Sequence, residues 1–244
     1  MKMRSLACAA VSVGTITAAA AAGVDTTDPG VIAAFQAGLT VQTFESLAGR
    51  TPQAITAYTQ GDPVSPNAFV FNQVPGVQFS VGGAVGTNMP ALYQLGGTLA
   101  ANAHSGTTVL GPVDFDFTTK FTSGAFIEVF FPVKVSSVGF WLNPALGNVT
   151  LIAADTNFAF SGLNESTLET FTGAVAGHFV GITRPTADIG GFKIIGTGNT
   201  GFTIDDFSYG AAGGVTTPIP EPAEWALLLG GLAAMATWRR RRVS

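Results

Sequence analysis

Carboxylates are the side chains of this 244-residue chain whose type and placement could do chemistry. Asp205 and Asp206 are adjacent inside the otherwise apolar run Gly201 to Tyr209, where a strand would turn one of them inward unless something caps it. Glu128 interrupts a second apolar run, Ala125 to Phe131. It has the type to act as the acid of a glycosidase pair, which needs a second carboxyl across the scissile bond, and spacing identifies no such partner. Asp114 and Asp116 alternate with Val113, Phe115 and Phe117, the pattern of a strand with one wetted face. His104 in a Ser-Gly loop and His178 in a strand-like stretch are the only histidines, and no Ser-His-Asp set is suggested by their spacing. Tyr58, Phe69, Tyr93 and Trp141 have the shape to stack on sugar rings, although most aromatic rings of a β-protein fill its core. No constellation here points to an enzyme.

The elements that must position these residues are strands. Leu39 to Phe44, Gly76 to Val81, Val113 to Phe117, Ala125 to Phe131, Val135 to Leu142, Asn148 to Ala154, Gly177 to Thr183, Ile189 to Ile195 and Gly201 to Tyr209 are short runs rich in β-branched and aromatic residues. Gly, Pro, Asn or Asp separates most of them. Val138 to Leu142 is almost wholly apolar and fits a central strand with its second face covered. One helix is expected, Pro29 to Ala37, with Asp28 as its N-cap and Pro29 as its first residue. Residues 46–68 and 84–108 read as long loops with one or two weak strands. The fold class is all-β: an antiparallel two-sheet sandwich, jelly-roll-like, over residues 24–214.

Between residues 25 and 218 five basic side chains face thirteen acidic ones, a formal charge of about −8 that the whole-chain value of −4 conceals. Such a surface argues against nucleic acid and anionic lipid, and it suits divalent cations or neutral sugars.

Both ends of the chain read as addresses. Lys2 and Arg4, the apolar stretch Leu6 to Thr17 and the small residues Ala18 to Ala22 form a signal peptide, residues 1–23, with cleavage just before Gly23 or Val24. Ser5-Leu6-Ala7-Cys8 is too close to the start to be a lipoprotein box. Cys8 is the only cysteine and leaves with the leader, so no disulfide or thiolate metal site is expected afterwards. At the other end a Pro-rich linker, residues 215–222, precedes an apolar segment, 223–238, and a basic tail, 239–244. Sixteen residues make a helix of about 24 Å, short of a bilayer core of roughly 30 Å. Trp225 and Trp238 at the ends and snorkelling arginines make up the difference, and Arg239 to Arg242 stay cytoplasmic. A single transmembrane helix is therefore expected.

Pro220-Glu221-Pro222, the span opening with Ala223-Glu224-Trp225, and Arg239, Arg240, Arg241 and Arg242 together resemble the PEP-CTERM sorting signal of exported Gram-negative bacterial proteins. The resemblance covers about residues 217–242. It implies recognition by an exosortase, cutting near the Pro-Glu-Pro motif, an inner-membrane intermediate, and delivery to the cell surface or the exopolysaccharide matrix. These residues are then substrate, not catalyst.

The middle region, with Thr43-Phe44-Glu45-Ser46, Gly139-Phe140-Trp141 and Ile204-Asp205-Asp206-Phe207, is similar in strand vocabulary to the β-sandwiches of carbohydrate-binding modules and discoidin-like domains. In many such sandwiches a structural calcium ion joins the first and last strands. The resemblance implies Glu45 and Asp205 as its ligands, with Asp206 as the other choice, completed by loop carbonyls and water. The plainer reading has one aspartate facing solvent while the other accepts hydrogen bonds from loop amides. The expected function is that of an exported surface or matrix protein whose sandwich binds polysaccharide or serves as an adhesive scaffold. The rivals are a secreted glycan hydrolase and a structural domain without ligand.

Overall fold

The computed structural model describes residues 22–58, 63–80, 89–113, 125–155, 167–197 and 201–211. The leader up to residue 21, Asp114 and Asp116, the Pro-Glu-Pro motif, the span 223–238 and Arg239 to Arg242 lie outside them. Among the described residues no helix is long and apolar enough to cross a membrane.

Thirteen strands are described: β1 (Ala22–Thr26), β2 (Thr40–Gln42), β3 (Gln53–Ile55), β4 (Gln78–Ser80), β5 (Met89–Leu95), β6 (Thr108–Val113), β7 (Phe126–Val135), β8 (Ser137–Leu142), β9 (Val149–Ala154), β10 (Thr167–Ala174), β11 (Phe179–Thr183), β12 (Ile189–Gly196) and β13 (Ile204–Gly210). One sheet has the order β1-β11-β8-β13-β6-β5-β3, with β2 also on β13, and the other has the order β10-β9-β12-β7-β4. This is the expected two-sheet sandwich. One pairing departs from the antiparallel expectation: β3 runs parallel to β5, with Gln53 opposite Tyr93 and Ile55 opposite Leu95. A parallel pair needs a crossover, and the chain supplies it by visiting the second sheet through β4 before returning as β5.

Between the sheets lies one continuous core. Val138, Phe140 and Leu142 of β8, Val180 and Ile182 of β11, and Ile204, Phe207 and Tyr209 of β13 meet Ile127, Val129 and Phe131 of β7 and Phe192 and Ile194 of β12. Along β8 and β11 these positions alternate, so the residues between them face outward. A second apolar cluster forms on the other side of the first sheet, where Ile55, Val64, Ala68 and Phe69 cover Met89, Ala91, Tyr93, Leu95 and Val109.

Helix α1 (Pro29–Gln36) covers the outer face over β8 and β11. Asp28 caps it as expected, accepting from the amides of Gly30 at 2.7 Å and Val31 at 3.4 Å. Its Phe35 meets Phe179 edge to face at 5.1 Å. It also rests on a slot of bare backbone: a Cβ at Gly139 would lie 2.8 Å from the Phe35 ring, and one at Gly181 2.9 Å from it. These glycines are cross-strand partners, so together they set how closely α1 approaches.

Candidate functional site

The adjacent aspartates sit at a fork in the first sheet. On one side, β13 pairs with β6 only at Ile204 and with β2 from Phe207 to Tyr209. Asp205 and Asp206 occupy the gap where those two neighbours part. On the other side, Asp205 is opposite Trp141 and Ser208 is opposite Gly139, so β13 carries one extra residue against β8. The bulge solves a parity problem. Ile204 and Phe207 are three apart, which a regular strand would send to opposite faces, yet both lie in the core. Asp206 takes up the extra residue in the left-handed region, φ 48°, a conformation in which Asp is among the commoner non-glycine residues.

Freed from strict alternation, both carboxylates converge on the loop leading into β6. Asp205 Oδ2 accepts from the amides of His104 at 3.0 Å and Ser105 at 2.7 Å, while Oδ1 accepts from the Asp206 amide at 2.8 Å. Asp206 Oδ1 accepts from the Ser105 hydroxyl at 2.6 Å, and Oδ2 pairs with His104 Nδ1. From the other end, Glu45 Oε1 accepts from the amides of Thr107 at 2.9 Å and Thr108 at 2.7 Å. Three carboxylates thus strap down the segment 104–108 through His104, Ser105, Thr107 and Thr108. Phe44, just before Glu45, is the other non-glycine residue in the left-handed region among the described residues, φ 64°, and its ring is wholly buried, which anchors the turn that aims Glu45.

Asp205 is 2% exposed and Asp206 8%. Burial pushes the Asp205 carboxyl up from 3.8 to about 6; the neighbouring Asp206 adds to this, and the Ser105 and Asp206 amides and the Ser105 hydroxyl pull it back. Over the strap, the His104 ring stacks on Trp141 with centroids 4.0 Å apart and planes 26° from parallel. The His104 side chain is 41% exposed and Trp141 is half-buried.

This geometry brings together all three carboxylates that the strand resemblance implied, through hydrogen bonds to one loop. The oxygens of Asp205 and Asp206 and Oε1 of Glu45 face N–H and O–H donors, so a cation beside them would meet the positive ends of those dipoles. As arranged, the donor set does not fit calcium, which takes six to eight oxygen ligands. Among the described residues no group of three or more His, Cys, Asp or Glu is placed to hold a metal.

No family model matches the chain, and no curated protein matches it. Among solved structures it is similar to the carbohydrate-binding module TmCBM61, solved in complex with β-1,4-galactotriose, at 20% identity and a TM-score of 0.29, over 55% of this chain and 81% of that one.

The remaining sequence candidates fall elsewhere. Glu128 Oε1 lies 3.0 Å from Lys193 Nζ, which sits 4.3 Å above the Phe126 ring, so the group facing this carboxylate is a cation. Phe69 and Tyr93 are buried in the second cluster. Tyr58 is tied down through its hydroxyl, which accepts from Asn143 Nδ2 at 2.6 Å. His178 Nδ1 pairs with Asp25 of β1, whose other oxygen accepts the Val175 amide at 3.0 Å. Tyr58 and Trp141 are both half-buried, but the Tyr58 hydroxyl is taken by Asn143 and Asn102, whereas Trp141 carries the partly exposed His104 ring stacked on it. Sequence spacing missed His104 and Ser105 as partners of the aspartates because about a hundred residues separate them. A faint local signal was present: Ser105-Gly106-Thr107-Thr108 is a turn rich in small polar residues.

Proposed function

We propose that this chain is an exported, non-enzymatic surface or matrix protein whose β-sandwich binds polysaccharide. The observation that carries the reading is the His104–Trp141 stack on the outer face of the first sheet. A partly exposed indole beside a polar imidazole, held on a strand and a pinned loop, offers an apolar surface for a sugar ring and a hydrogen-bonding group for its hydroxyls. The acidic domain suits a neutral glycan better than an anionic one. Delivery rests on the terminal signals. Residues 1–23 serve export, and residues 223–238 hold an inner-membrane intermediate. Pro220, Glu221, Pro222 and Arg239 to Arg242 present the chain to an exosortase on its way to the cell surface or exopolysaccharide matrix.

A glycan array with the full chain tests the binding reading. Retention without turnover, lost in His104→Ala and kept in a variant altered on the opposite sheet, supports it. Release of shortened glycans would establish the hydrolase instead. For sorting, the mass of the exported product from Glu221→Ala cells is compared with the parent; an identical, uncut C-terminus in both sinks the exosortase step.

A further inference from the structure

The hydrogen bonding under His104 determines which of its ring nitrogens bears hydrogen. An ionised carboxylate only accepts. Asp206 Oδ1 already takes the Ser105 hydroxyl, and Oδ2 faces His104 Nδ1, so Nδ1 carries the proton. In the neutral ring the other nitrogen is then a bare acceptor. That nitrogen, Nε2, makes no hydrogen bond to any described residue. A half-turn of the ring would break the Nδ1–Asp206 contact, and the Trp141 face beneath it and the Asp205 bond to the His104 amide limit its other movements.

We propose that Asp206 is a positioning residue that locks His104 as the Nδ1–H tautomer and so presents Nε2 as a fixed acceptor for a ligand hydroxyl lying against the free edge of Trp141. This rests on the sugar-binding reading and names the contact within it. The ligand class is a neutral polyol ring, since the contact wants an O–H donor over an apolar edge, and a carboxylated sugar would bring an acceptor against an acceptor. His178 serves as an internal control. Its Nδ1 is held in the same way by Asp25, but no aromatic ring stacks on it among the described residues.

With two histidines in the chain, selective 15N-histidine labelling of the full-length protein resolves each ring, and long-range 15N–1H correlations report which nitrogen is protonated. At a pH where both rings are neutral, His104 is expected in the Nδ1–H form. Asp206→Asn, which keeps the left-handed backbone accessible, should shift only His104 towards the Nε2–H form, and Asp25→Asn only His178. On the array, Asp206→Asn should weaken retention of a neutral glycan about tenfold, the loss of one good hydrogen bond, and Asp25→Asn should leave it unchanged. An Nε2–H ring in the unaltered protein, or a His104 tautomer indifferent to Asp206→Asn, overturns the proposal. The expected tautomers with no glycan retained by any variant would overturn the contact and the binding reading together, whereas retention with the wrong tautomer overturns only the role of Asp206.

Discussion

Glu45 lies across the backbone of Gly106: a Cβ at position 106 would sit 2.1 Å from the Glu45 carboxyl carbon. Gly106 also has φ +58°, so two demands coincide on one glycine, a left-handed backbone and an empty side. Gly106→Ala should cost roughly 1–2 kcal/mol for the backbone alone and evict Glu45 from the amides of Thr107 and Thr108. Glu45→Ala should lose those same bonds. The two substitutions together should therefore destabilise less than the sum of the singles, which a double-mutant cycle of denaturant midpoints measures. Strict additivity would mean that the strap does not depend on their contact.

Asp205 makes the pH dependence specific. Its carboxyl is raised to about 6 by burial, so between 3.8 and about 6 the folded state binds the proton more tightly than the unfolded one. Its contribution to stability is fully present below 3.8 and is lost as pH rises through about 6. A shift of that size corresponds to on the order of 3 kcal/mol. Asp188 works in the opposite sense, since its hydrogen bond from Arg184 lowers its carboxyl. The difference between parent and Asp205→Asn isolates the term: the parent should lose stability relative to the variant between pH 4 and 7, and a parallel pair of curves would contradict the assignment.

Calcium provides a separate check. Because the oxygens of Asp205 and Asp206 and Oε1 of Glu45 are taken by N–H and O–H donors, melting in millimolar calcium and in chelator should give the same midpoint. A rise of several degrees with calcium would show that the strap rearranges to offer carbonyls instead.

Glu128 and Lys193 form a pair with side chains 6% and 22% exposed, and Glu128 Oε2 is buried without a partner. Removing the cation should hurt more than removing the anion. Lys193→Met leaves a buried carboxylate uncompensated, at a cost of about 3 kcal/mol, whereas Glu128→Leu with Lys193→Met should recover most of it. Thermal melts of Lys193→Met, of Glu128→Leu and of the double variant give the order directly.

Strands with strong apolar runs were legible, and β7, β8, β9, β11, β12 and β13 lie close to their expected ranges. β10 was not, because it is an edge strand whose Thr167, Thr170 and Thr172 face water and blur the pattern. β1 hid beside the leader: its Gly23 packs so tightly on the Phe171 ring that a Cβ would lie 2.4 Å from it, a contact between residues far apart in the chain. The stretches 46–68 and 84–108, read as long loops with one or two weak strands, hold β3 and β5, two 3-10 turns at Pro66–Ala68 and Gly97–Asn102, and much of the second core. Its apolar residues are spread among Pro, Gly and Ala, and only packing against the first sheet gives them a face.

Local chemistry determined a good deal unaided: an all-β domain, an Asp-capped first helix, an excess of acidic over basic side chains, and two aspartates too polar for their strand. The partners of those aspartates came from tertiary structure alone. Parity along β13 had to be broken so that Ile204 and Phe207 could both be buried, and breaking it turned Asp205 and Asp206 towards a loop a hundred residues upstream. Whether such carboxylates meet a cation, solvent or N–H donors depends on which chain segment fills the fork between β2 and β6. That is settled by packing across the whole sheet, which no stretch of nearby residues encodes.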